Sequence, residues 1–401
     1  MPNALFLNVP GHGHVNPSLP LVAELTRRGH HITYFVTEQY RARVEAAGAV
    51  FQPYATVHDD YFDAKGLSGS VPSQVAYELM TTAGEILPEL LEFARANLPD
   101  YVLFDGMCPW GYFLARILDV PAVASLSLIT FSPRALMSLN GLRALGTFIF
   151  RDMGKRMEAN KRSQALGKEY GVKPLDQYSL LSALGDISFS YTSSYFQPFA
   201  STVPKSIRFV GWSVDDSPKN TSFSFEQVHG RRLVYVSLGT VNNDDPAFFR
   251  ACIDAFTGAD EFVMMTTGNR VSPESFGALP ENISIYSWVP QIDLLKKAAL
   301  FITHSGMGSV HDGLYFGTPL LLVPQQGEQM FTAMRVAELG AGLMLNKARI
   351  SAETIRHSAE RLLAEPQFKV EADKIGDTFR SAGGMTRAAD EIEALLGRRH
   401  L

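Results

Sequence analysis

Residues 286–333 read YSWVPQIDLLKKAALFITHSGMGSVHDGLYFGTPLLLVPQQGEQMFTA. Apolar runs at 300–303 and 320–323 are bounded by turn residues, the pattern of buried parallel strands. Between them the spacing predicts a strand ending at Thr303, a Gly-rich turn, and a helix starting near Gly308. A helix N-terminus presents unpaired N–H groups and the positive end of the helix dipole, which suits a phosphate. Gly306 and Gly308 let the backbone approach a bulky anion closely. Ser309 adds a hydroxyl donor and His304 a ring N–H. Gly-rich turns of this kind also occur in α/β proteins that bind nothing there, but the neighbours here add chemistry. Trp288, ahead of Val289, Pro290 and Gln291, is an aromatic plate on a loop. Asp312 lies one turn inside the helix, where its carboxylate can accept from sugar hydroxyls. Glu328 and Gln329 follow the next strand at its C-terminal end, where ligands sit in open α/β sheets. The set suits a nucleotide sugar.

Activating an acceptor hydroxyl requires a base near neutral pH, and His has that pKa. His12, His14 and His304 each follow a strand, and His304, in the anion turn, is expected to donate rather than abstract. Asp105 closes a strand in PDYVLFDGM, where a carboxylate could orient a histidine and stabilise its imidazolium. The plainer alternatives are a helix-entry histidine and an aspartate capping a turn. A diphosphate leaving group would be held by residues 306–309, His304 and the turn Ser237-Leu238-Gly239-Thr240. No D-x-D triplet occurs, and the adjacent pairs Asp59–Asp60, Asp215–Asp216 and Asp244–Asp245 lie in polar loops. No essential metal and no tightly bound cofactor are expected.

The elements that must position these groups follow in order. Strands are expected at 4–10, 32–37 and 50–54, with helices at 17–28 and 38–47, a βαβαβ series and hence a parallel sheet. A long helix at 74–97 contains Pro88 as a kink or break. The strand 101–104, a helix at 110–118 and a strand at 122–125 come next. Residues 130–178 are apolar and largely helical, read either as core helices or as the lining of an apolar pocket. Strands at 187–191 and 207–210 close the first sheet. Residues 213–230 are polar and turn-rich, a linker by composition. A second series follows, with strands at 233–238, 262–267, 283–286, 300–303 and 320–323 and helices at 246–256, 328–339, 352–363 and 385–396. The fold class is α/β, two doubly wound parallel-sheet domains with an interdomain cleft. The expected domains are 1–212 and 231–401, the last helix being free to pack back on the first domain.

Composition agrees with this class. At 401 residues, 46% hydrophobic and 19% charged, the chain can build large cores without disulfides. The net charge of −5, with no long Lys/Arg run, argues against a nucleic-acid surface. The two cysteines, Cys108 and Cys252, have no metal spacing and read as free thiols. The N-terminal apolar run is too short for a signal peptide, and residues 117–131 carry Asp119 and Pro121, so no membrane span is expected and the location is cytoplasmic.

The stretch 288–329 resembles the donor-binding signature of UDP-dependent glycosyltransferases that act on small lipophilic molecules, the plant natural-product and bacterial macrolide and flavonoid enzymes. Their pattern runs W-x-P-Q, then H-x-G-x-x-S-x-x-E, then an acidic-Gln pair; here Asp312 stands where Glu is usual. The segment G-H-V-N-P at 13–17 resembles the family's N-terminal motif, whose histidine is the general base, here His14, and an aspartate is kept at the place of Asp105. The resemblance implies two facing Rossmann-like domains of the GT-B type, with the acceptor site in the first and the donor site in the second, and a UDP-sugar as co-substrate. It implies donor contacts from Gly13, Gly239, Thr240, Trp288, Val289, Gln291, His304, Gly306, Gly308, Ser309, Asp312, Glu328 and Gln329. The expected reaction is inverting O-transfer of a sugar, glucose by resemblance, to a small lipophilic acceptor. Met107, Trp110, Phe131, Met137 and Phe148 are the expected acceptor-facing side chains. The alternatives are another GT-B sugar-nucleotide enzyme and a non-catalytic nucleotide-sugar-binding protein.

Overall fold

The computed structural model describes residues 1–61, 65, 72–130, 153–176, 179, 184–214, 224–239, 243–325 and 327–398. Two compact units account for them, Met1–Ser213 with Ala382–Leu401, and Val214–Ser381.

In the first unit, apolar runs between turn residues become strands because both sheet faces are covered by helices. The elements are β1 (Asn3–Leu7), α1 (His12–Arg27), β2 (His31–Phe35), α2 (Arg41–Ala46), β3 (Val50–Gln52), α3 (Pro72–Ala96), β4 (Tyr101–Asp105), α4 (Pro109–Ile117), β5 (Ala122–Leu126), α5 (Met153–Tyr170), β6 (Ile187–Ser190) and β7 (Ile207–Phe209). The strands form one parallel sheet in the order β3-β2-β1-β4-β5-β6-β7. Pro88 lies inside α3 without ending it. Pro109 opens α4, where its missing N–H costs no helical bond. Gly111 brings α4 close to β4: a Cβ there would lie 2.2 Å from that of Phe104. Of the segment read as largely helical, α5 is described and 131–152 lies outside the described residues.

The second unit contains β8 (Leu233–Ser237), α6 (Pro246–Phe256), β9 (Phe262–Thr266), β10 (Ile283–Tyr286), α7 (Gln291–Leu295), β11 (Ala298–Thr303), α8 (Met307–Tyr315), β12 (Leu320–Leu322), α9 (Gly327–Glu338), β13 (Gly342–Met344), α10 (Ala352–Ala364) and α11 (Pro366–Arg380). Its parallel sheet has the order β10-β9-β8-β11-β12-β13. Asp245 caps α6 by accepting from the Phe248 N–H at 3.0 Å, and Ser351 with Thr354 forms a capping box on α10. The elements α7, β13 and α11 are absent from the sequence expectation. The first two are five and three residues long, too short for a period to show. The buried stripe of α11 includes Ala372 and Gly376, which carry little apolar signal.

The final helix, α12 (Gly384–Gly397), belongs to the first unit, the placement the sequence reading left open for it. Its attachment is electrostatic as well as apolar. Arg28, at the end of α1, donates to Asp390 at 2.6 Å and Glu393 at 2.9 Å, while the Gly384 N–H donates to the Val210 carbonyl at 2.9 Å.

In each sheet the strand order reverses once, at β1/β4 in the first and β8/β11 in the second. In open α/β sheets, ligands bind outside the carboxyl ends of the strands at this reversal.

Candidate active site

The first unit assembles a histidine–carboxylate site at its reversal point. α1 begins at His12, after the short turn 8–11 that follows β1, so His14 sits in the first turn of α1. Asp105 is the last residue of the neighbouring β4. His14 Nδ1 lies 3.0 Å from both Asp105 Oδ1 and Oδ2. The aspartate is fully buried, while the histidine ring keeps 15% of its side-chain surface open. The Met107 N–H donates to Asp105 Oδ1 at 2.8 Å. With two carboxylate oxygens around it, Nδ1 carries a ring proton. A buried polar group braces the backbone beneath: Asn8 Nδ2 donates to the His14 carbonyl at 3.3 Å and to Tyr34 Oη at 2.6 Å. His12 instead turns its ring edge to Tyr40, with centroids 5.2 Å apart, and burial lowers its pKa.

A residue that sequence reasoning missed completes this site. Ser127, just past the end of β5, places Oγ 2.8 Å from His14 Nδ1 and 3.3 Å from Asp105 Oδ2. The signal that could have found it is the parallel register, in which Asp105 pairs with Ser125 and Ser127 follows two residues later.

In the second unit, β11 ends at Thr303 and α8 begins at Met307, as the spacing predicted to within a residue or two. The intervening Ser305 is buried with φ +69°, a left-handed conformation that costs a serine about 1–2 kcal/mol. The N-cap residue of α8 is Gly306, which has no side chain with which to cap the helix. The first-turn N–H groups of Met307, Gly308 and Ser309 thus have no acceptor within the helix. Gly306 and Gly239 flank the His304 ring: a Cβ on Gly306 would lie 2.4 Å from His304 Nε2, and one on Gly239 2.5 Å from Cε1. Burial pushes the His304 pKa down to about 4, with the Ser237 carbonyl, accepting from the ring, acting in the other direction. The ring is therefore neutral at pH 7 and keeps one N–H to donate.

The remaining donor candidates divide. Trp288 is 65% exposed on the loop after β10, whereas the Val289 side chain is buried. Gln291 opens α7 and donates through Nε2 to Asp312 Oδ2 at 2.8 Å. Glu328 is exposed in the first turn of α9. Gln329 is buried, and its Oε1 accepts from the Gln325 N–H at 2.8 Å. Gly13 is exposed in the first turn of α1. Thr240 lies outside the described residues, as do Phe131, Met137 and Phe148.

Of the expected acceptor-facing side chains, Met107 packs partly buried on the first core. Trp110 is a correction: it is 1% exposed, its Nε1–H donates to Tyr54 Oη at 3.2 Å, and its ring meets Tyr54 edge-on. The packing of α4 against α3 and β4 encloses the indole, leaving no surface for a ligand. Among the described residues no helix is long and apolar enough to cross a membrane.

Comparison with known proteins agrees with this layout. Residues 250–395 match the family described as "Erythromycin biosynthesis protein CIII-like, C-terminal domain". The chain is 33% identical to the NDP-glycosyltransferase YjiC of Bacillus licheniformis, over 97% of this chain and 96% of that protein. It is 28% identical to the Bacillus subtilis protein named "Uncharacterized UDP-glucosyltransferase YojK", over 98% and 97%. Its fold superposes on the crystal structure of the calicheamicin glycosyltransferase CalG4 with a TM-score of 0.83 and 31% identity, over 99% of both chains. The chain therefore belongs to this family of GT-B glycosyltransferases and is an enzyme of sugar transfer.

Proposed function

We propose that the enzyme moves glucose from UDP-glucose to a hydroxyl of an apolar small molecule, with inversion at C1 and His14 as general base. The observation that carries this reading is the His14–Asp105 pair, with Nδ1 turned to a buried carboxylate. In the reaction, the acceptor O–H gives its proton to Nε2 as its oxygen forms the bond to C1. The C1–O bond to the diphosphate breaks on the opposite side, and UDP leaves with the bonding pair. Asp105 holds the ring in the required tautomer and stabilises the imidazolium. A single displacement of this kind turns an α-linked donor into a β-glycoside.

On the donor side, Trp288 supplies a face for the base. The uncapped start of α8, with Gly306, Gly308 and Ser309, supplies N–H and O–H donors for the diphosphate. Glu328 and Gln329 are assigned to the sugar hydroxyls. With no D-x-D triplet in the chain, diphosphate stabilisation falls to these donors, and transfer should persist in EDTA. The relatives' names, which speak of UDP-glucose, erythromycin and calicheamicin, support glucose and a natural-product acceptor. The apolar, Leu- and Phe-rich sequence of residues 131–152 supports an acceptor bound mainly by hydrophobic burial, and tolerance of several such acceptors.

The test is incubation with UDP-glucose and a panel of flavonols and macrolides, followed by mass spectrometry and NMR of the anomeric centre. A β-glucoside on several apolar acceptors is expected. An α-linked product would exclude single displacement, and donor binding without product would identify a non-catalytic binding protein.

A further inference from the structure

We propose that Ser127 is a positioning residue of the transfer reaction. Its hydroxyl would close a ring of hydrogen bonds with His14 and Asp105, keeping the imidazole proton on Nδ1. This rests on the reading of His14 as the base.

The three groups come from three adjacent strand ends: His14 follows β1, Asp105 closes β4 and Ser127 follows β5. Ser127 is buried, and its Oγ is within 2.8 Å of Nδ1 and 3.3 Å of Oδ2. The carboxylate can only accept, so the hydroxyl proton goes to Oδ2 and the Oγ lone pair faces the Nδ1–H. In the other tautomer, the Nδ1 lone pair would face the carboxylate oxygens, and the hydroxyl would have to abandon Asp105 to relieve it. The ring of bonds therefore favours the tautomer that can accept the acceptor's proton. It favours it more after the proton has moved, because imidazolium N–H is the stronger donor.

A separate feature holds Ser127 in register. Three residues on, the Thr130 N–H donates to Gln197 Oε1 at 3.2 Å, and Gln197 Nε2 donates back to the Thr130 carbonyl at 2.7 Å. The buried amide thus acts as a short piece of strand. Ser127 lies between β5 on one side and this clamp on the other, so its Oγ has little room to drift from Nδ1.

The experiment compares Ser127→Ala, Ser127→Cys and Ser127→Thr with the unsubstituted enzyme. Two readouts are used: steady-state kinetics with UDP-glucose and a flavonol, and ¹⁵N NMR of the resting protein labelled at histidine, with the His14 signal assigned by its loss in His14→Ala. Ser127→Ala and Ser127→Cys should lower kcat about tenfold, the worth of one hydrogen bond. Donor KM should stay within about twofold, and the His14 nitrogen signals should move toward a mixed tautomer. Ser127→Thr, which keeps the hydroxyl, should restore both. Unchanged kcat in the Ala or Cys variant overturns the proposal. So does a kcat loss with unmoved His14 signals, which would place Ser127 on the substrate instead. If His14→Ala retains full transfer while Ser127→Ala still shifts the His14 signals, the base assignment fails and the hydrogen-bonded ring stands.

Discussion

The side-chain amide of Gln291 donates to Asp312 Oδ2 across 2.8 Å, while Tyr235 Oη donates to Gln291 Oε1 at 3.3 Å. One amide thus ties the start of α7 to the middle of α8 and fixes the direction of a carboxylate one methylene shorter than the family's usual Glu. If that carboxylate meets the donor, Asp312→Ala and Gln291→Ala should each raise donor KM about tenfold, in line with an unpartnered polar group of about 1–3 kcal/mol. The double substitution should cost no more than the worse single one, because the two act as a unit. Donor kinetics of the four proteins check this; additive losses would separate the residues.

Gly306 lies against His304 so closely that a methyl group would occupy ring space. Gly306→Ala removes no polar group, yet it should displace the imidazole and raise donor KM at least about tenfold, with acceptor KM little changed. The cost arises from the overlap itself, of order 1–3 kcal/mol for an overpacked site. Wild-type donor KM in this variant would show that the ring has room to move.

Acid should weaken the second unit before neutral pH does. Burial lowers His304 to about 4 and His311 to about 3 from the ordinary 6.5. His311 is fully buried, stacks on Phe379 and donates from Nδ1 to the Met307 carbonyl at 2.8 Å. Between those values and 6.5 the unfolded chain holds protons that the folded chain does not, so stability falls as pH drops through this window. Each histidine contributes about 1.4 kcal/mol per pH unit there. Thermal midpoints from pH 7 to pH 4.5 should fall steeply, and less steeply in His311→Gln. A flat profile, or equal slopes, would contradict the assignment.

The exposed Trp288 indole has a face available for stacking. Trp288→Ala should raise donor KM by a stacking loss of about 1–3 kcal/mol, whereas Trp288→Phe should recover most of it. Isothermal titration with UDP checks the same step without turnover; equal affinity in all three would move the base elsewhere.

The chain order of strands and helices was legible because parallel strands buried on both faces read as apolar runs between turn residues. Asp105 was legible as the last residue of a strand, whereas His14, inside the first turn of α1, was set apart from His12 and His304 by the resemblance of residues 13–17 to a family motif. Ser127 was not, because its approach to His14 depends on β5 lying beside β4, which local pattern does not encode. Trp110 looked the same in sequence whether it lined a pocket or filled a core; the close approach of Gly111 to Phe104 decided for the core. The bond from the Gln325 N–H to Gln329 Oε1, in the turn before α9, has no sequence signature, because a pairing four residues apart outside a helix leaves no local pattern.

The most direct measurement is the turnover of His14→Ala with UDP-glucose and a flavonol, at matched folding by circular dichroism. Removing a general base should lower kcat by roughly two to four orders of magnitude and leave donor KM nearly unchanged. Turnover within a few-fold of the unsubstituted enzyme would contradict the assignment of His14 as the group that takes the acceptor's proton.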